Sequence, residues 1–158
     1  MKVFSKLLML ALISSVFATG CKKDNDPPKD ENLPLADVAG TYEGTITIPA
    51  VDTTTVSITI GSLVGDSVLL SLPAGAIKLL QDVPVSVNCY VTSDKDKYVI
   101  KGSKTLSLQG MPPIPVTVKE TSNIGKAGNA LLYIDVVLPE EAPPGGTLPI
   151  TFEGEKKK

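Results

Sequence analysis

From Val38 onward the chain repeats one pattern: a short run in which apolar and polar residues alternate, then a turn signal. Alternation with a period of two places apolar side chains on one face of an extended strand and polar ones on the other, the mark of half-buried antiparallel strands. In Tyr42-Glu43-Gly44-Thr45-Ile46-Thr47-Ile48, the residues Tyr42, Ile46 and Ile48 share one face, and Glu43, Thr45 and Thr47 share the other. Val56, Ile58 and Ile60 predict a second strand. Val68, Leu70 and Leu72 predict a third, entered through a turn at Gly65-Asp66. Val85, Val87, Cys89 and Val91 form a fourth and Tyr98, Ile100 and Gly102 a fifth, joined as a hairpin by the charged turn Asp94-Lys95-Asp96-Lys97. Ile114, Val116 and Val118 predict a sixth. Leu132, Ile134, Val136 and Leu138 predict a seventh, linked to it around Gly125 and Gly128, and Ile150 with Phe152 an eighth.

Helical signal is confined to Ala74 to Gln81, where Pro73, Gly75 and Pro84 limit it to a turn or two that caps one end of the sheet. The fold class is therefore all-β. Eight short antiparallel up-and-down strands suit a closed barrel, which leaves no unpaired edge, and equally a two-layer β-sandwich. Periodicity does not choose between them.

The first twenty residues follow different rules. Lys2 and Lys6 precede an apolar run from Leu7, and Ala18-Thr19-Gly20 supplies small residues before Cys21, the layout of a cleaved secretory signal. The run from Leu7 to Phe17 is shorter than the roughly 20 residues that span a bilayer. Small residues ending in Cys21 resemble the lipobox of bacterial lipoproteins, with Ala18 where Leu is usual. The resemblance implies a diacylglycerol-modified Cys21 and a membrane partner through that anchor, since several acyl chains hold far better than one. From Lys22 to Asn32 the chain is charged, Pro-containing and almost free of apolar side chains. It reads as an extended leash within a 21–36 linker, with the folded domain at 37–158. The acids close behind Cys21 also resemble the export signal of some lipoproteins of Gram-negative gut anaerobes. The expected address is the cell envelope, lipid-anchored to the outer membrane on its periplasmic or its surface-exposed face.

A second resemblance bears on the fold. Val38-Ala39-Gly40-Thr41-Tyr42-Glu43-Gly44-Thr45 and Ile150-Thr151-Phe152-Glu153-Gly154 resemble the two ends of the calycin-like β-barrel domain of many bacterial lipoproteins. Gly40-Thr41-Tyr42 is also similar to the Gly-x-Trp that opens lipocalins, with Tyr42 in place of Trp. This resemblance implies an eight-stranded meander barrel and no particular activity.

Charge and chemistry narrow the function further. Removing Lys2 and Lys6 from the 15 basic residues leaves 13 against 17 acids, a net charge of −4, and every basic residue is a lysine. That balance argues against nucleic acid as a partner. No histidine occurs in the chain, so a Ser-His-acid triad and histidine-held zinc are excluded, and no enzyme activity, metal or cofactor is expected. Asp94 with Asp96, and Glu140 with Glu141, read as solvated turns rather than calcium sites, because each pair lacks further oxygen ligands. With Cys21 acylated, Cys89 has no disulfide partner and reads as a small buried hydrophobe.

Two functions remain. In one, the barrel is filled and serves as an interaction module for an envelope protein, using Pro- and Gly-rich connections such as Leu106 to Pro113 and Pro139 to Leu148. In the other it carries one small apolar ligand against inward residues Tyr42, Ile58, Leu70, Val87, Ile100, Ile134 and Phe152. The first is preferred, because Val, Ile and Leu at nearly every inward position fill a small barrel unaided. Aromatic platforms for carbohydrate are in thin supply for a glycan binder, with no tryptophan in the chain. Tyr42, Tyr98 and Phe152 fall on apolar faces as core, whereas Tyr90 and Tyr133 lie on the opposite face, where an exposed pair would help bind a partner.

Overall fold

The protein is described by a computed structural model over residues 35–80, 82–140 and 146–158. The signal segment, Cys21 and most of the leash lie outside the described residues. A single helical turn, α1 (Leu35–Val38), starts two residues before the domain boundary read from sequence and leads into strand β1 (Gly40–Ile48). There follow β2 (Asp52–Ser62), β3 (Ser67–Leu72), β4 (Val85–Asp94), β5 (Lys97–Leu106), β6 (Ile114–Val118), β7 (Asn123–Gly125), β8 (Asn129–Leu138) and β9 (Gly146–Lys156).

All the pairings are antiparallel, and they run β1-β2-β3-β4-β5-β6-β8-β9 before β9 returns to β1. The sheet is thus a closed eight-stranded barrel, and the sandwich alternative is set aside. Closure brings the first and last strands together: Tyr42 to Thr47 pairs with Thr151 to Lys156, with Gly44 opposite Gly154. A side chain on Gly44 would run into the Glu153 carbonyl, and one on Gly154 would meet the Phe152 ring. Glycine lets the two backbones approach closely at this seam while the ring covers the space left free.

The strands β6 and β7 share one position in the wall. Both lie between β5 and β8, and Lys119 to Ser122 leave the ladder between them. On the β5 side only Ile100 and Lys101 face these four residues, so the excursion is a two-residue bulge. The sequence predicted this region as a linker around Gly125 and Gly128. The strand Asn123–Gly125 is too short, with one buried apolar side chain, Ile124, to show alternation.

Both mouths are covered. At one, the Tyr42 hydroxyl donates to the Val38 carbonyl at 2.7 Å and the Tyr98 hydroxyl to Asp37 Oδ2 at 3.0 Å. Lys156 Nζ donates to the Ala36 and Asp37 carbonyls at 3.1 and 3.0 Å, a cation on the free carbonyl end of a helical turn. At the other mouth, the connection from Pro73 to Pro84 makes the expected turn at Lys78–Leu80 and buries Ala76, Ile77 and Leu80. Lys78 pairs there with Asp52.

Candidate functional site

The seven inward residues nominated for a ligand, Tyr42, Ile58, Leu70, Val87, Ile100, Ile134 and Phe152, all face the interior and are each 0–1% exposed. A hollow able to hold a guest would leave accessible surface on the side chains that wall it. These side chains instead pack against one another in one core cluster. Burial also leaves Tyr42 with a hydroxyl pushed up to about 12, first by desolvation and then by the nearby Asp37 charge. Cys89, 1% exposed, has its thiol pushed up to about 12 by burial, so it is a protonated core residue at neutral pH.

Among the described residues, concave surface is found on the outside of the wall. The ladder between β4 and β5 runs from Asp94↔Lys97 to Cys89↔Gly102 and stops there. Beyond that point β4 continues against β3 alone and β5 against β6 alone. At Gly102 the backbones are so close that a side chain would meet the Asn88 carbonyl and Cys89. The bulge at Lys119 to Ser122 rises on the far side of β5. Between splay and bulge lies a cleft of about 740 Å³ whose walls include Asn88, Tyr90, Lys101, Ser103, Thr117 and Thr121, with Val118 and Gly102 also lining it. A second depression, of about 380 Å³, shares Asn88 and Tyr90 and continues past Leu63 and Val64 of the β2–β3 turn.

Tyr90 stands between the two hollows, 66% exposed. The strand register puts it directly opposite Lys101 on β5 and Ser67 on β3. Three of the five large hydrophobic residues exposed among the described residues, Leu63, Val64 and Tyr90, therefore gather at one place. The charges nearby are already paired: Lys101 Nζ lies 3.4 Å from Glu120 Oε2, and Lys119 Nζ lies 2.8 Å from Asp135 Oδ2. Among the described residues the Glu120 N–H and C=O and the Thr121 N–H make no hydrogen bond, so peptide groups stand free at the rim.

The bulge holds its shape through Ser122, which is fully buried. Its Oγ accepts the Tyr133 N–H at 2.8 Å and donates to the Tyr133 carbonyl at 3.1 Å, while its own carbonyl accepts the Ile100 N–H at 3.0 Å. Tyr133 is half-buried and does not line the cleft, so the structure does not join it to Tyr90 as an exposed pair. Sequence reasoning missed Ser122, Lys101 and Glu120. The one legible hint was a polar run, Lys119-Glu120-Thr121-Ser122, directly after an alternating strand.

The two connections nominated as binding loops both lie at the mouth opposite α1, although residues 141–145 of the second are outside the described residues. Asp94 pairs with Lys97 at 3.8 Å. Among the described residues no three acidic or cysteine side chains gather as metal ligands.

In comparisons with known proteins, no family model, no curated protein and no solved structure matches this chain.

Proposed function

We propose that this protein is a lipoprotein of the cell envelope, held in the outer membrane through Cys21, whose calycin-like barrel binds a partner on its outer surface without catalysing a reaction. The observation that carries this reading is the contrast between the two faces of the wall. Inward residues from Tyr42 to Phe152 are sealed against solvent, while the outer face carries a cleft with an exposed aromatic side chain. Binding sites are concave and combine apolar surface with a few placed polar groups, and that combination occurs here outside the barrel. A chain with no histidine and a cysteine held protonated lacks the usual bases and nucleophiles. The closed meander is also the architecture that the calycin-like resemblance implies.

The anchor also bears on which surfaces are presented. The polypeptide running back to Cys21 leaves the barrel at the α1 mouth, so the long connections stand at the opposite mouth and the cleft on the side wall. Metabolic labelling with an alkyne palmitate is expected to mark the protein and to fail with Cys21→Ser. Photo-crosslinkers placed at Tyr90 or Leu108 in intact cells are expected to yield adducts that a crosslinker at Thr53, on another part of the wall, does not. A co-purifying apolar small molecule displaced by substitution at Leu70 or Ile134 would overturn the surface reading in favour of a carrier.

A further inference from the structure

We propose that the cleft beside Tyr90 is a binding site for an uncharged saccharide. This deepens the surface-binding reading above and rests on it. Three observations converge. The first is the exposure of Tyr90, which stands in mid-strand with open space on both sides, while Tyr42 and Tyr98 are buried. An aromatic face left open in this way suits the apolar C–H face of a pyranose ring.

The second observation is charge. Both cations in the cleft have carboxylate partners, Lys101 with Glu120 and Lys119 with Asp135. The two lysines and their two carboxylate partners balance in charge, so the cleft offers no excess of either sign to draw a charged guest, and a neutral ligand is the better complement. A nucleotide is disfavoured on the same ground.

The third is the polar lining. The amide of Asn88, the hydroxyls of Ser103, Thr117 and Thr121, and the free peptide groups of Glu120 and Thr121 offer donors and acceptors around the exposed ring of Tyr90. A ligand with one flat apolar face and many hydroxyls matches that lining, and a volume of about 740 Å³ is the size of small-molecule sites. Past Tyr90, Leu63 and Val64 extend the surface with apolar side chains that suit a methyl-bearing sugar such as an N-acetylated one.

The test is isothermal titration of the full chain, purified from membranes in a detergent without a sugar headgroup, with cellotetraose, maltotetraose, mannotetraose and chitotetraose. At least one is expected to bind. Tyr90→Ala should weaken it about tenfold or more, the size expected for a lost aromatic face, and Tyr90→Phe should leave it nearly unchanged. Unchanged melting of both variants would show that the exposed side chain was not needed for folding. The proposal is overturned if none of the four gives heat at millimolar concentration, or if binding survives Tyr90→Ala. A protein adduct from a crosslinker at position 90 with no saccharide bound would sink the saccharide while leaving surface binding in place. Loss of palmitate labelling alone would remove the anchor and leave the cleft untouched.

Discussion

Ser122 Oγ and the backbone of Tyr133 exchange two hydrogen bonds, at 2.8 and 3.1 Å, so one side chain replaces the ladder partner that the bulge removed from β8. The Tyr133 carbonyl keeps the Lys119 N–H at 2.9 Å, so Ser122→Ala would leave the Tyr133 N–H without a partner, at a cost of about 1–3 kcal/mol. Urea unfolding is expected to show the loss. Ser122→Thr, which keeps the hydroxyl, should recover most of it. Full stability in the alanine variant would mean that water takes over the bond to the Tyr133 N–H.

The seam between β1 and β9 makes a sharper demand. Gly44→Val would place a side chain against the Glu153 carbonyl and the Gly154 backbone, neither of which can move without parting the strands that close the barrel. Destabilisation above about 3 kcal/mol is expected, toward the upper end for single substitutions. Thermal melting should report it, with Gly61→Val as the control, since Gly61 has open space around it.

Stability should fall on the alkaline side. Burial raises Cys89 from 9.0 to about 12 and Tyr42 from 10.0 to about 12. A group whose folded pKa lies above its unfolded one contributes fully below the unfolded value and loses that contribution as pH climbs through the folded one. Urea midpoints should therefore decline from about pH 9 upward and steepen above about pH 10, where unfolded Tyr42 also ionises. Cys89→Ala should flatten the first part of that decline. An unchanged slope between about pH 9 and 10 in that variant would show that Cys89 does not contribute.

The β1–β2 turn carries a residue in a conformation that favours glycine. Ala50 has φ of 59°, in the left-handed region where a Cβ is strained. Ala50→Gly is expected to stabilise the protein by about 0.5 kcal/mol, because relieved strain outweighs the added freedom of the unfolded chain. The urea midpoint should rise with an unchanged slope.

Which residues face inward was readable from the chain alone. Alternation depends only on the two-residue repeat of an extended backbone, so Tyr42, Ile58, Val87, Ile134 and Phe152 fell on the inner face whatever the strands paired with. The hairpin at Lys95-Asp96 and the cap at Lys78–Leu80 were likewise local, set by turn residues and prolines.

Closure, splay and bulge were not local. Whether β9 reaches β1 depends on twist summed over every strand and on two glycines, Gly44 and Gly154, that are far apart in sequence and meet only in the closed sheet. The cleft depends on where β4 and β5 stop pairing and on a four-residue excursion in which a serine hydroxyl takes the Tyr133 N–H that has no ladder partner. Periodicity placed Tyr90 on the outer face. Only the tertiary structure decided that it stands between two hollows while Tyr133 lies behind a bulge, because register between distant strands is set by packing and hydrogen bonding across the whole wall.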